Sequence, residues 1–343
     1  MDTRYTAEQA ELQRSAGQLL ADLGPKTVVD LDDSDRVSRL AKAVYDAGWL
    51  ELRCDAGDGA PLASGVEAAI VAQAMGSAVA DVAFVGPLLA HDLARRCGVT
   101  LSLSRDVTIA FNRSLDGVAI AQSATTLSPL YAVDRQVATT ALLLVENGVG
   151  WQLGQVTVED GNEHGTDLTR MVRCVEPGTA VVTFEESRTV EPGDLEGLAA
   201  LGMALNCADL VGIMRGAIDI SVDYAKERKQ YGVAVGSFQA VQHLLAEALV
   251  LLEGSMSVAA HAAWAVDNLE APLALQAGRV AKAYCARAAR TVCETAVQVH
   301  GGIGNTWECM VHVYLRRALL SSALFGDDGA QLRELGLQRL QSP

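Results

Sequence analysis

Four short stretches of this chain hold the residue types from which a binding site could be assembled: YAKERKQYG (Tyr224 to Gly232), SFQ (Ser237 to Gln239), QVHGGIG (Gln298 to Gly304) and LFGDD (Leu324 to Asp328). In the first, Glu227-Arg228-Lys229 closes a long helical pattern. Cations at a helix C-terminus are favoured by the helix dipole whatever their role, so Arg228 taken alone reads as a solvated helix-end cation. The third stretch ends another helical pattern in a glycine cluster, which is a common helix stop and also lets backbone approach a ligand with no Cβ in the way. Its spacing is not that of a GxGxxG turn after a strand, which argues against a Rossmann-type site. Two such elements in this order, seventy positions apart from Arg228 to Gln298, are harder to explain as stop signals than either is alone.

The remaining reactive groups do not gather in the sequence. His91, His164, His243, His261, His300 and His312 form no local metal or nucleophile pattern, and a lone helical histidine is usually packed or at the surface. The seven cysteines are scattered without a CxxC pair, which predicts small buried hydrophobes in a reducing compartment. Asp327 and Asp328 read as loop acids, Glu247 and Glu253 as solvent-facing or subunit-contact acids, and Trp264, Trp307 and Tyr314 as core or interface aromatics.

With 343 residues, 50% hydrophobic and 20% charged, the chain predicts a compact protein of two or three packed layers. No uninterrupted apolar run approaches a membrane span, and Met1-Asp2-Thr3-Arg4-Tyr5 leads into a charged amphipathic segment, so the cytoplasm is the expected compartment. A net charge of −15 opposes nonspecific attraction to nucleic acid or anionic membranes. A polyanionic ligand would have to be met by a local cluster of cations and backbone N–H groups.

The elements that must position these residues follow an α–β–α order. Thr6-Ala7-Glu8-Gln9 reads as a helix start, Gly24-Pro25 as its stop and Ser34-Asp35 as the next cap, with further helices expected over about 64–80 and 85–97. From 105 to 191 the texture becomes β-branched, with strands expected at Val107-Ile109, Val118-Ile120, Ala141-Val145, Gln155-Val158 and Ala180-Phe184, separated by Asp116-Gly117, Asn147-Gly148, Asp160-Gly161 and Pro177-Gly178. Long helical patterns then run over about 195–228, 238–268 and 272–299. The expectation is a mainly α protein with a central β domain: a helical domain over 1–104, a small sheet or barrel over 105–191 and a helical bundle over 192–343.

In the order and spacing of YAKERKQYG, SFQ and QVHGGIG the chain resembles the acyl-CoA dehydrogenases, most strongly from about Leu198 to Gly326. The resemblance implies an N-terminal helical domain, a middle β domain and a C-terminal four-helix bundle. It also implies an FAD straddling two subunits, with Arg228, Tyr231, Gln239, Gln298, Gly301 and Gly302 gripping the dinucleotide half of the partner's flavin.

The departures from that pattern matter as much. The family reaction needs a carboxylate to remove the α-proton of an acyl-CoA thioester. The alignment on Leu315-Arg316-Arg317-Ala318 and Gly326 puts Phe325 where that glutamate stands, and the alternative location used by some relatives falls at about Gly202. The family's Thr-Glu-Pro and Trp-Ile-Ser/Thr segments, which contact the isoalloxazine, correspond to Ala110-Phe111-Asn112-Arg113 and Ala124-Thr125-Thr126-Leu127. An intact adenine-side grip with a degraded ring side resembles the non-catalytic subunit of the α2β2 dehydrogenases of actinobacterial steroid catabolism, which implies a catalytically complete paralogue as partner. Two other readings stand beside it: a self-sufficient homo-oligomer whose base has moved to Asp327, and a dehydrogenase-like scaffold without chemistry.

Overall fold

The computed structural model describes residues 4–101, 106–122, 129–134, 136, 138–159 and 165–341. The expected domain boundary at 104/105, the turn at Asp160-Gly161, His164 and the segment Ala124-Leu127 lie outside them. The first helices are α1 (Ala7–Leu23), α2 (Ser34–Asp46), α3 (Gly65–Ser77) and α4 (Val85–Arg96). Thr6 and Ser64 begin α1 and α3 with capping boxes, closed by Gln9 and Glu67 respectively.

The β region is one seven-stranded sheet of β1 (Val107–Phe111), β2 (Ile120–Ala121), β3 (Leu130–Val133), β4 (Thr140–Glu146), β5 (Trp151–Thr157), β6 (Val172–Val175) and β7 (Val181–Thr183). Its order is β6-β3-β1-β4-β5-β7, with β2 paired on β4. Sequence texture missed β3 and β6. Both are four residues long, too short for period-2 alternation to stand out from a turn-rich background. All five residues of the central strand β1 are buried; the one polar side chain, Thr108, donates its hydroxyl to the Val133 carbonyl.

Beyond the sheet come α5 (Pro192–Glu227), a two-residue-strand hairpin of β8 (Lys229–Gln230) and β9 (Val233–Ala234), α6 (Gln239–Asn268), α7 (Ala271–His300), α8 (Val311–Ala323) and α9 (Asp328–Gln341). Helix α5 is the axle of the molecule and packs on α3, α6, α7 and α8. Its crossing with α3 is backbone on backbone: a Cβ at Gly76 would lie 2.2 Å from the Asp209 carbonyl oxygen, and one at Gly212 would lie 2.0 Å from that of Gln73. Side chains larger than hydrogen are excluded at both positions.

Two helices, α5 and α6, are long and apolar enough to cross a membrane although neither contains an uninterrupted apolar run. Burial separates them. The most apolar window of α5 is 94% buried inside the fold, whereas that of α6 is only 33% buried. Val250, 69% exposed, and Leu249, 43% exposed, lie on the open face of α6.

A buried ion-pair network ties these layers together around α8. Asp209 of α5 receives Arg317 of α8 at 2.7 Å and the Ser321 hydroxyl at 2.7 Å. Arg170, ahead of β6, donates to Ser321 Oγ at 2.9 Å and to both oxygens of Asp134 at the end of β3. Asp134 in turn accepts the Gly86 N–H at the start of α4. Each of these side chains is essentially inaccessible, and buried charges persist in proteins when paired and hydrogen-bonded in this way.

Candidate functional site

The C-terminal ends of α5 and α7 meet through one aromatic stack. Tyr224, in the last turn of α5, lies on the imidazole of His300, the final residue of α7, with ring centroids 4.3 Å apart and planes inclined by 26°. Its hydroxyl donates to the His300 carbonyl at 3.4 Å, and His300 Nδ1 bonds the Ala296 carbonyl at 2.8 Å. This contact brings YAKERKQYG and QVHGGIG, distant in sequence, to one end of the bundle. Neither residue carried a role in the sequence reading; the signal was their position inside the two motifs.

All six expected contact residues are exposed at that end. Arg228 is the residue that ends α5. After it the chain turns through Tyr231 and Gly232 at φ +53° and +82°, so the β8–β9 hairpin has left-handed backbone at both central positions, the geometry of a type I′ turn. Glycine suits that conformation and tyrosine does not. Tyr231 is nevertheless held there, 93% exposed, edge-on to Phe238 with centroids 6.4 Å apart. Gly236 closes the segment back on α5, where a Cβ would meet the Ala225 carbonyl at 2.8 Å. Gln239 opens α6, whose first N–H groups have no intrahelical acceptors. Gln298 sits in the last turn of α7, and Gly301, at φ +64°, and Gly302 present backbone with nothing within 4 Å of where a Cβ would stand.

This donor set fits the adenosine and pyrophosphate half of FAD. The side chains of Arg228, Gln239 and Gln298 have no partner among the described residues, and the glycine turn leaves room for a close approach to backbone. Arg228 and Lys229 place positive charge at this end of a chain that carries −15 overall, while Lys226 pairs with Asp223 at 3.3 Å.

The position aligned with the family's base is filled. Phe325 is 1% exposed, and its ring lies on α5 at Gly202, where a Cβ would be 2.2 Å from two ring carbons. The two positions at which relatives place a base therefore converge on one point in this fold, and here that point is occupied by a phenyl ring over a glycine. The ring also meets Phe111 of β1 edge to face, centroids 4.9 Å apart at 80°. Phe111 belongs to the stretch aligned with the family's Thr-Glu-Pro segment, so two departures from the family pattern form a single aromatic contact.

Backbone geometry fixes Phe325 as firmly as packing does. It has φ +59° and is followed by Gly326 at +81°; its N–H donates to the Leu115 carbonyl at 2.7 Å, and its carbonyl accepts Gln331 Nε2 at 2.6 Å. The end of α8 just before it is held by Lys282 of α7, which donates to the Ser321 and Ser322 carbonyls at 2.5 and 2.9 Å. Burial pushes the Lys282 ammonium down to about 8.

The other acids are engaged elsewhere. Asp327 Oδ1 accepts the Ala330 N–H at 2.7 Å and so caps α9, and Asp328 accepts Arg287 at 3.0 Å. Glu253 is exposed, 3.7 Å from Arg215. Trp307, expected in a core or interface, is 62% exposed, with the Arg316 guanidinium 5.8 Å from its ring centre.

Helices flanking a central sheet, with a C-terminal helical bundle, define an acyl-CoA dehydrogenase architecture. The chain belongs to the acyl-CoA dehydrogenase family, whose cofactor is FAD. Residues 200–339 match the family's C-terminal domain. Acyl-CoA dehydrogenase IpdE2 of Mycobacterium tuberculosis is 30% identical over 278 residues, 81% of this chain and 79% of that protein. IpdE2 of Mycolicibacterium smegmatis is 34% identical over 169 residues, and that match spans about half of each chain, 49% of both. Among solved structures, the ChsE4–ChsE5 complex from Mycobacterium tuberculosis superimposes with a TM-score of 0.80 at 23% identity, covering all of both chains. The Tcur3481–Tcur3483 steroid acyl-CoA dehydrogenase G363A variant does so at 0.81 and 21%, covering 97% of this chain and 98% of that one.

Proposed function

We propose that this chain is the non-catalytic subunit of a heteromeric acyl-CoA dehydrogenase, supplying the adenine-dinucleotide half of an FAD site shared with a catalytically complete paralogue. The observation that carries the reading is the contrast between the two halves of the site. Arg228, Tyr231, Gln239, Gln298, Gly301 and Gly302 are exposed and turned to one end, while the base position holds the buried Phe325 ring. FAD, when bound, accepts the β-hydrogen of the thioester as hydride. On this chain Arg228 would offset pyrophosphate charge, the Gly301-Gly302 backbone would lie along the dinucleotide, and Gln239 and Gln298 would donate to its polar edges. The α-proton would go to the partner's glutamate, since a phenyl ring has no lone pair to receive it.

The exposed apolar residues Leu249 and Val250 on α6 support an assembled state, because a contiguous apolar face commonly marks an interaction surface. The steroid acyl-CoA dehydrogenase among the similar structures motivates a bulky, steroid-derived acyl group as the substrate of this reading. Engagement of Asp327 as a helix cap weighs against a relocated base, and the unpartnered donors at the dinucleotide end weigh against a scaffold without cofactor.

The test is purification alone and after co-expression with a paralogous acyl-CoA dehydrogenase from the same genome. The expected result is an inactive, flavin-poor single chain and an active complex with one FAD per unlike pair. A single chain that purifies with one FAD each and dehydrogenates an acyl-CoA would refute the reading.

A further inference from the structure

Beside the Phe325 plug lies a half-open cavity of about 470 Å³ bounded by the β1–β2 loop, β3, residues 165–172 and α8. Its walls carry three arginines, Arg113, Arg170 and Arg316, against one aspartate, Asp167. That is a local excess of positive charge in a chain of net charge −15. The rest of the lining is largely apolar.

The two outer arginines are placed and available. Arg113 is exposed and has no partner among the described residues. It rides on a tight loop closed by the Asn112 N–H to the Gly117 carbonyl at 3.0 Å and by Asn112 Nδ2 to Asp116 at 2.6 Å. Arg316 is half-buried and steadied by one bond, from its guanidinium to the Thr166 carbonyl at 3.0 Å, which leaves most of its donors free. Arg170 is already engaged by Asp134 and Ser321.

Asp167 does not cancel this field. Its Oδ1 accepts the Thr169 N–H and hydroxyl at 2.8 and 2.9 Å. Burial raises its pKa, which favours the neutral acid, and the charges of Arg317 and Arg170 offset the anion where it forms.

We propose that this cavity binds an amphiphilic organic anion, with its carboxylate or phosphate head between Arg113 and Arg316 and its apolar body against Leu115, Val172, Leu319 and Leu320. Leu115 ties the cavity to the plug: it stands at φ +58° and its carbonyl receives the Phe325 N–H. Phe325 itself does not line the cavity, so the proposed site serves binding and not proton removal. It does not depend on the dinucleotide reading, since flavin content reports on that reading and anion binding on this one.

Calorimetric titration of the full chain, alone and in complex with its paralogue, with octanoate, octyl phosphate and 1-octanol tests the proposal. At least one anion should bind about tenfold or more tightly than the alcohol, more weakly as salt rises, and the tighter of the two identifies the head group. The double variant Arg113→Gln/Arg316→Gln should lose that advantage. Leu319→Trp, which fills the cavity from an exposed helix position, should abolish binding with the unfolding midpoint and flavin content unchanged. Equal binding of 1-octanol, wild-type octanoate affinity in the double variant, or no heat with any of the three at millimolar concentration would each overturn it.

Discussion

Phe325 and Gly202 are complementary in shape: the ring takes the volume that a side chain at 202 would need, and a β-carbon there would stand 2.2 Å from it. Substituting Gly202 with alanine should therefore destabilise the fold by about 1–3 kcal/mol through overpacking. Phe325→Ala should cost about 3–5 kcal/mol through the cavity it leaves. Denaturant midpoints at constant m-value measure both. If Gly202→Ala is neutral, the contact is looser than this packing requires.

Phe325→Glu should yield no dehydrogenase activity in the single chain. The new carboxylate would lie buried against Phe111 and the α5 surface at Gly202, so it would be held neutral or force the loop open. Turnover assays on the purified variant, with circular dichroism to follow the fold, check this.

Arg228→Ala should leave the stability of the isolated chain within about 0.5 kcal/mol, because the residue is exposed and unpartnered. In the complex it should weaken flavin retention by about tenfold to a hundredfold, the worth of one charge-assisted hydrogen bond. Flavin absorbance after gel filtration reads the difference. A comparable loss of stability in the isolated chain would instead assign Arg228 to the fold.

Lys282 gives the alkaline stability curve a definite sign. Its folded pKa is about 8, below the reference 10.5, so between those values the unfolded chain holds more protons and stability rises with pH. Buried thiols such as Cys293, raised by burial, push the other way in the same range. The test is therefore the difference between wild type and Lys282→Met, followed by urea denaturation from pH 7 to 10.5. The wild type should gain on the variant by roughly 1–3 kcal/mol, and parallel curves would remove Lys282 as the titrating group.

Val250→Arg on the open face of α6 should leave the monomer folded and weaken assembly, since it puts a charge on an apolar face that stands 69% exposed at that residue. Sedimentation velocity of the co-expressed complex would detect the shift.

Much of this molecule was legible in its sequence, for identifiable reasons. The long helices α5, α6 and α7 declare themselves by sustained 3.6-residue periodicity, and their ends fall within three residues of the expected ones. Strands β3 and β6 did not, because each is defined by its neighbours in the sheet and not by its own pattern. Order and spacing aligned Phe325 and Gly202 with the family's base positions, but the meeting of Phe111 with Phe325 was out of reach, since 214 positions separate the two phenylalanines. The Asp209–Arg317–Arg170–Asp134 network was likewise invisible, because charged residues in a helical pattern read as a solvated face until tertiary packing encloses them.

The left-handed backbone at Phe325 and Gly326, with Lys282 gripping the end of α8 just before it, fixes the ring through the main chain as well as through its neighbours. A single codon change back to an acid would meet a neighbouring ring, a helix surface with no side chain to receive it and a loop whose hydrogen bonds hold it against the sheet. An acid at 325 would therefore be opposed by several elements of the fold at once.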